Sequence, residues 1–202
     1  MRIIAGALRG RVLAPVQGRT RPTAAKVREA IFNILGPVVP EAQVLDLFAG
    51  TGALGIEALS RGAVRGVFVE DHPGALKALS RNLETLGLQD RGRVLPLPAA
   101  AALRQLAAQG ERFGLVFLDP PYGGGAAAAT LGALAGSSLL LPEAWVVAEH
   151  SRRETLPESI GILQQHTLRR YGDTQVAIYV RTEDGGRETG AITPFPVCGP
   201  GA

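Results

Sequence analysis

The feature that most constrains the fold is an alternation of short apolar runs and longer amphipathic runs between residues 44 and 148. The apolar runs have the length and composition of buried strands, and the runs between them have helical spacing. The predicted strands cover residues 44–48, 64–70, 93–97, 115–119 and 145–148, and three of the predicted helices cover 53–61, 73–86 and 99–108. Successive β-α units of this length predict a parallel sheet with helices on both faces.

The last two predicted strands depart from this alternation. Residues 162–170 and 174–181 are adjacent strand-like runs joined around Tyr171-Gly172-Asp173, which has the composition of a hairpin turn. We therefore expect an α/β fold with a doubly wound, mostly parallel, seven-stranded sheet that ends in an antiparallel hairpin. The predicted domain covers residues 37–181, and the Gly- and Pro-rich residues 182–202 are expected to form a loose tail.

Residues 1–36 are predicted to form a separate, basic N-terminal extension. Apolar runs at 2–5 and 11–14 flank a glycine-bounded segment and predict a β-hairpin, and a helix is expected from Thr23 to Gly36-Pro37. Before Glu29 there is no acidic residue. The same stretch contains seven basic residues, Arg2, Arg9, Arg11, Arg19, Arg21, Lys26 and Arg28. Clustered arginine predicts contact with nucleic-acid phosphates, although a solvated basic arm fits the same composition.

Other features of the chain indicate an intracellular protein. Its apolar runs are too short and too interrupted to span a bilayer, and its first residues do not resemble a signal peptide. Cys198 is the only cysteine, so an internal disulfide is excluded and a reducing cytoplasm is the expected location.

A glycine loop after the first predicted strand indicates a nucleotide cofactor. The run from Asp46 to Gly52 leads from a buried strand into a helix, and Glu70 ends the next strand, where a carboxylate can accept both ribose hydroxyl hydrogens. The glycines also fit the dinucleotide pattern G-x-G-x-x-G. A carboxylate at Asp46 would repel a pyrophosphate but suits the amino-acid end of S-adenosylmethionine, so this cofactor is favoured. The predicted cofactor-binding residues are Asp46, Phe48, Gly50, Gly52 and Glu70.

The motif Asp119-Pro120-Pro121-Tyr122 follows the fourth predicted strand and predicts the chemistry. Two prolines stiffen the loop because they fix φ and lack N–H donors. The Asp119 carboxylate and the Pro120 carbonyl are suited to accept hydrogen bonds from both hydrogens of an aromatic amino group. Tyr122 is suited to stack on a flipped base. These three residues are the predicted catalytic residues, and the chemistry requires no metal. A proline-rich strand exit without function is the alternative.

These motifs resemble a known family. Asp46–Gly52 and Asp119–Tyr122 look like the amino-group branch of Rossmann-like methyltransferases. Arg9-Gly10-Arg11, Arg21-Pro22-Thr23, residues 27–35 and Tyr171–Thr174 resemble the bacterial small-subunit ribosomal RNA methyltransferase D family, which makes N2-methylguanine in 16S rRNA.

The resemblance covers residues 1–181 and implies several further properties. The fold would be a class I methyltransferase, and the substrate an assembled or assembling 30S subunit. The protein itself is expected to be a monomer. The basic extension would hold RNA. The RNA-binding residues expected on this basis are Arg9, Arg11, Arg19 and Arg21.

One position departs from the family pattern, and three other functions stay open. Members usually carry an aspartate for the cofactor adenine after the third strand, where this chain has Leu97-Pro98-Ala99-Ala100. Backbone groups and apolar packing are the expected substitutes. The alternative functions are a DNA adenine or cytosine amino methyltransferase, an NAD-dependent oxidoreductase, and a non-catalytic RNA-binding protein.

Overall fold

The computed structural model describes residues 1–15, 23–121 and 125–182. Five α-helices and eight β-strands are formed by these residues. In chain order they are α1 (Thr23–Leu35), β1 (Gln43–Leu47), α2 (Ala53–Ser60), β2 (Arg65–Val69), α3 (Pro73–Thr85), β3 (Gly92–Leu95), α4 (Ala99–Ala108), β4 (Phe113–Leu118), α5 (Ala126–Ala135), β5 (Leu140–Ser151), β6 (Ser159–Ile160), β7 (Leu163–Tyr171) and β8 (Thr174–Arg181).

The strands form one sheet in the order β3-β2-β1-β4-β5-β8-β7-β6. Strands β1 to β5 pair in parallel, and the pairings of β5 with β8, β8 with β7 and β7 with β6 are antiparallel. The predicted doubly wound sheet with a C-terminal hairpin is confirmed. The sheet has eight strands rather than seven because Ser159–Ile160 adds a short edge strand. The strand order reverses between β1 and β4, where ligands bind in such sheets.

Two apolar clusters cover the two faces of the sheet. Along β1, Leu45 and Leu47 belong to the cluster that includes α4 and α5, whereas Val44 belongs to the cluster with α1, α2 and α3. This alternation follows from the two-residue period of a strand. It directs Asp46 towards the face that carries α2.

The N-terminal segment pairs over a shorter length than the predicted hairpin. An isolated antiparallel bridge joins Arg2 to Val12, and Ile3 N donates to Arg11 O at 3.0 Å. Beyond it, Ile4 N and Ala5 N donate to the carboxylate of Glu57 on α2 at 2.8 and 3.0 Å. At Ile4 and Ala5 the backbone N–H groups therefore bind a side chain of α2 instead of a partner strand.

A buried ion pair fastens this segment to the main domain. Arg28 Nε lies 3.7 Å from Glu57 Oε2, and the two side chains are 4% and 1% exposed. Arg28 also donates to Arg2 O at 2.7 Å. Burial lowers the pKa of Arg28, and the Glu57 charge opposes that shift. Arg28 is therefore part of the core and does not contribute to the phosphate-binding surface that the basic stretch had indicated.

None of the helices formed by the described residues is long and apolar enough to cross a membrane.

Candidate active site

The glycine loop connects β1 to α2 at the carboxyl edge of the sheet. Phe48 has a φ of +64° and Gly50 a φ of +57°. Positive φ is uncommon for a bulky side chain and costs roughly 1–3 kcal/mol, and such strain clusters at binding sites. A Cβ atom placed on Gly50 would have no heavy atom within 4 Å, so this glycine borders open space. The loop therefore presents backbone to a ligand at Gly50.

Glu70 fixes the shape of this loop from the end of β2. Its Oε2 atom accepts a hydrogen bond from Gly50 N at 2.7 Å, and its Oε1 atom accepts from Asp71 N and His72 N at 3.0 and 2.9 Å. A carboxylate has about four lone-pair positions, so three backbone donors leave acceptor capacity. Glu70 thus lies beside the open position at Gly50, and the sequence-based prediction gives it the ribose hydroxyls.

Asp46 lies beneath the loop and is 2% exposed. Its Oδ2 atom accepts from Gly55 N at 2.8 Å in the first turn of α2. The pKa of Asp46 is raised to about 7, mainly by burial; the Gly55 hydrogen bond opposes the shift, and the charges of Asp119 and Glu70 add to it. Asp46 therefore lies close enough to Asp119 and Glu70 for both of their charges to disfavour its ionised form.

Asp119 follows β4, the neighbour of β1 in the sheet. Its side chain is exposed, while that of the next residue, Pro120, is buried. A buried proline holds the loop, and the carboxylate faces the solvent side of the same edge. Tyr122 lies outside the described residues, as do Arg19 and Arg21.

The two described candidate arginines lie apart from these carboxylates. Arg9 is exposed and follows Leu8, whose N atom donates to Ser60 Oγ at 3.0 Å at the C-terminal end of α2. Arg11 Nη2 donates to Thr85 O at 3.0 Å at the C-terminal end of α3. The glycine loop lies at the other end of α2, about 12 Å away for an eight-residue helix.

Asn82 is a site-supporting residue that the sequence reasoning missed. It is 2% exposed, and its Nδ2 atom donates to Thr51 O in the glycine loop at 2.9 Å. Its Oδ1 atom accepts from Ala14 N at 2.7 Å. A polar amide next to Leu83 in the predicted helix 73–86 was the available signal.

Within the described ranges, no group of three or more His, Cys, Asp or Glu side chains is arranged to hold a metal ion.

Comparison with known proteins assigns the family. The family model described as conserved hypothetical protein 95 matches residues 1–180. Ribosomal RNA small subunit methyltransferase D of Escherichia coli (strain K12) is 37% identical over 186 residues, which are 92% of this chain and 92% of that protein. The chain belongs to the ribosomal RNA small subunit methyltransferase D family.

Solved structures agree with this family assignment. A structure from Escherichia coli has a TM-score of 0.81 and 38% identity, and the match covers 90% of this chain and 97% of that chain. The T. thermophilus 16S rRNA N2 G1207 methyltransferase, solved in complex with AdoMet and guanosine, has a TM-score of 0.63 and 25% identity, with 82% of this chain and 44% of that chain covered. The predicted class of protein, an S-adenosylmethionine-dependent methyltransferase with a Rossmann-like fold, is confirmed.

Proposed function

We propose that this member of the family transfers the methyl group of S-adenosylmethionine to the exocyclic N2 amine of a guanine in 16S rRNA. The observation that carries the proposal is the position of the exposed Asp119 carboxylate at the sheet edge that also holds the glycine loop, Asp46 and Glu70.

The electrostatics of this edge fit a cationic cofactor. Asp119 and Glu70 both raise the pKa of Asp46, so each of these two carboxylates lies close enough to repel the charged form of Asp46. S-adenosylmethionine carries a positive sulfonium and a positive ammonium group, and such charges relieve this repulsion. A dinucleotide would instead bring the negative pyrophosphate to the same place. We therefore favour S-adenosylmethionine over NAD for this chain.

The proposed cofactor contacts follow the loop. The open space at Gly50 admits the ligand close to the backbone, and Gly52 provides the tight turn into α2 at a φ of +80°. Glu70 accepts from a ribose hydroxyl with its one remaining acceptor position, on Oε2. Asp46 binds the amino-acid end of the cofactor. Phe48 lies next to the loop and packs against the cluster that includes α4 and α5. After β3, Leu97 packs against the core and leaves adenine recognition to backbone groups.

S-adenosylmethionine supplies an electrophilic methyl group to the site. The Asp119 carboxylate and the Pro120 carbonyl would accept hydrogen bonds from the two amino hydrogens of the base, which would direct the nitrogen lone pair towards that methyl group. As the nitrogen–methyl bond forms, the sulfur–methyl bond would break, S-adenosylhomocysteine would leave, and the amine would lose one proton to solvent. Preorganised acceptors of this kind lower the barrier because charge that develops on the amine meets fixed dipoles. Tyr122 stacks on the flipped base in this proposal.

The relatives favour guanine N2 as the methylated group over the amino groups of adenine and cytosine. The Escherichia coli relative is named for the small ribosomal subunit, and the T. thermophilus structure is described as an N2 methyltransferase with guanosine bound. We extend the same base and the same RNA to this chain, which we expect to act as a monomer, without a metal, on an assembled or assembling 30S subunit in the cytoplasm. A DNA amino methyltransferase is the alternative.

The test is transfer of tritiated methyl groups to naked 16S rRNA, to 30S particles and to DNA, followed by nucleoside analysis. We expect label in N2-methylguanine of 16S rRNA. Label in a DNA adenine or cytosine, or in a different RNA nucleoside, would overturn the proposed substrate.

A further inference from the structure

A basic groove runs between α3 and the end of the N-terminal segment. It has a volume of about 510 Å³ and is lined by Ala14, Pro15, His72, Gly74, Lys77, Ala78 and Arg81. Lys77 and Arg81 are exposed, and neither belongs to the cofactor loop or to the basic extension. His72 lies at the end of the groove next to the N-terminus of α3, and its backbone N atom donates to Glu70 at 2.9 Å. One end of the groove therefore lies against the proposed cofactor site.

The cations of this groove form a row along α3. Lys77 and Arg81 are four residues apart, so they lie on one face of the helix with about 6 Å between successive positions. Thr85 takes the next position on that face, and there the Arg11 guanidinium donates to the Thr85 carbonyl at 3.0 Å. Lys77, Arg81 and Arg11 thus form a cationic row that leads from the Glu70 end of α3 to the basic extension.

We propose that this cationic row binds the phosphate backbone of the RNA that flanks the methylated base. The proposal rests on the proposed function, because it takes RNA as the substrate. The row connects two sites that the structure separates, since Arg11 lies at the C-terminal end of α3 while the carboxylates lie at the sheet edge. The three carboxylates repel phosphate and the row attracts it, so the backbone follows α3 while only the base enters the site.

A charge-removing variant of the row and a matched control test this assignment. The test variant is Lys77→Gln with Arg81→Gln. The control, Arg104→Gln with Arg112→Gln, removes two exposed cations that do not belong to the row. Arg104 is on α4, which packs on the opposite face of the sheet, and Arg112 lies in the loop between α4 and β4. Affinity for a 16S rRNA fragment is measured between 50 and roughly 200 mM salt, the range over which phosphate contacts are lost. Calorimetry with S-adenosylhomocysteine and urea unfolding accompany both variants.

The expected results separate this inference from the proposed function. The row variant binds RNA about tenfold more weakly. The slope of log affinity against log salt concentration becomes shallower by about 1.4, because two phosphate contacts are lost. The KM for RNA rises while kcat is retained. Affinity for S-adenosylhomocysteine and stability stay at wild-type values, and the control behaves as wild type. Wild-type affinity and slope in the row variant, or an equal loss in the control, would overturn the cationic row while wild-type methylation of rRNA continued. A wild-type protein that methylates no RNA would overturn the proposed function itself.

Discussion

The side-chain amide of Asn82 donates to the carbonyl oxygen of Thr51 at 2.9 Å, which joins the middle of α3 to the glycine loop. The same amide accepts from Ala14 N at 2.7 Å and donates to Ala14 O at 3.3 Å. One buried side chain therefore holds both the loop of the cofactor site and the end of the N-terminal segment. The position of the groove beside α3 follows from this connection.

Replacing Asn82 by alanine is expected to destabilise the protein by about 1–3 kcal/mol, because the partly buried Ala14 N–H and Thr51 carbonyl lose their partner. S-adenosylhomocysteine is expected to bind more weakly to the folded variant, since the loop loses its support. Urea unfolding and calorimetry measure both effects. Ser80→Ala, an exposed change on the same helix, is the control. An Asn82→Ala protein as stable as Ser80→Ala would contradict this role.

Asp46 should make stability depend on pH. Its folded pKa is raised to about 7, above an unfolded value of about 4, so the folded state binds the proton more tightly. The resulting stabilisation is complete below pH 4 and is lost as pH rises through about 7. Three pKa units correspond to about 4 kcal/mol at most.

The comparison that isolates this effect is wild type against Asp46→Asn, whose amide oxygen can still accept from Gly55 N. Between pH 5 and pH 8, urea unfolding of wild type should lose free energy relative to the asparagine variant. At pH 8 the variant should be the more stable protein and bind S-adenosylmethionine more weakly. Parallel pH profiles for the two proteins would show that Asp46 is ionised throughout this range.

Glu70→Ala is expected to weaken S-adenosylmethionine binding by about 1–3 kcal/mol, because a ribose hydroxyl loses its acceptor. The Gly50 N–H also loses its partner, so the loop is held less firmly. Calorimetry measures the loss. Asp71→Ala removes the neighbouring exposed carboxylate and should leave affinity unchanged. Equal affinity of Glu70→Ala and wild type would remove Glu70 from the cofactor site.

Arg9→Ala combined with Arg11→Ala should reduce affinity for 30S particles and flatten its salt dependence, since both side chains are exposed and cationic. Binding of S-adenosylhomocysteine should be retained. Arg104→Ala with Arg112→Ala removes the same charge from α4 and from the loop that follows it, and serves as a control. An unaltered salt slope in the Arg9 and Arg11 variant would mean that these residues do not contact RNA.

Local sequence patterns predicted the elements that position the site. Helix α4 and strand β8 have the predicted bounds, and the motifs at Asp46 and Asp119 end neighbouring strands, as parallel β-α units require. Strand β5 is longer than the predicted run at 145–148, because pairing with β8 continues to Ser151 and the strand also takes up Pro142. A proline in the sequence predicts the end of a strand, so the length of β5 could be known only from its pairing with the neighbouring strands.

Contacts between distant segments could not be predicted in this way. Glu57 binds Ile4 N across 53 positions, and Asn82 binds Ala14 N across 68. Neither pair follows a helical or strand period, so no local pattern indicates it. For the same reason, the composition of the basic stretch grouped Arg28 with the surface arginines, although its ion pair with Glu57 lies in the core. Roles for Tyr122, Arg19 and Arg21 stay predictions, because these residues lie outside the described part of the chain.

In the proposed mechanism, Asp119 accepts a hydrogen bond from the amino group of the base. Asp119→Ala is expected to lower methyl transfer by about a hundredfold or more, the scale of losing one preorganised electrostatic group. Asp119→Asn should keep part of the activity, because its amide oxygen still accepts one hydrogen bond without the charge. Removing the charge should also lower the pKa of Asp46, since the two carboxylates repel each other.

Single-turnover methylation of guanine in 30S particles by wild type, Asp119→Asn and Asp119→Ala tests this claim most directly, with S-adenosylhomocysteine affinity and urea unfolding measured on the same preparations. We expect methylation rates that fall in that order while cofactor affinity and stability are retained. A folded Asp119→Ala protein that binds the cofactor and methylates guanine at the wild-type rate would contradict it.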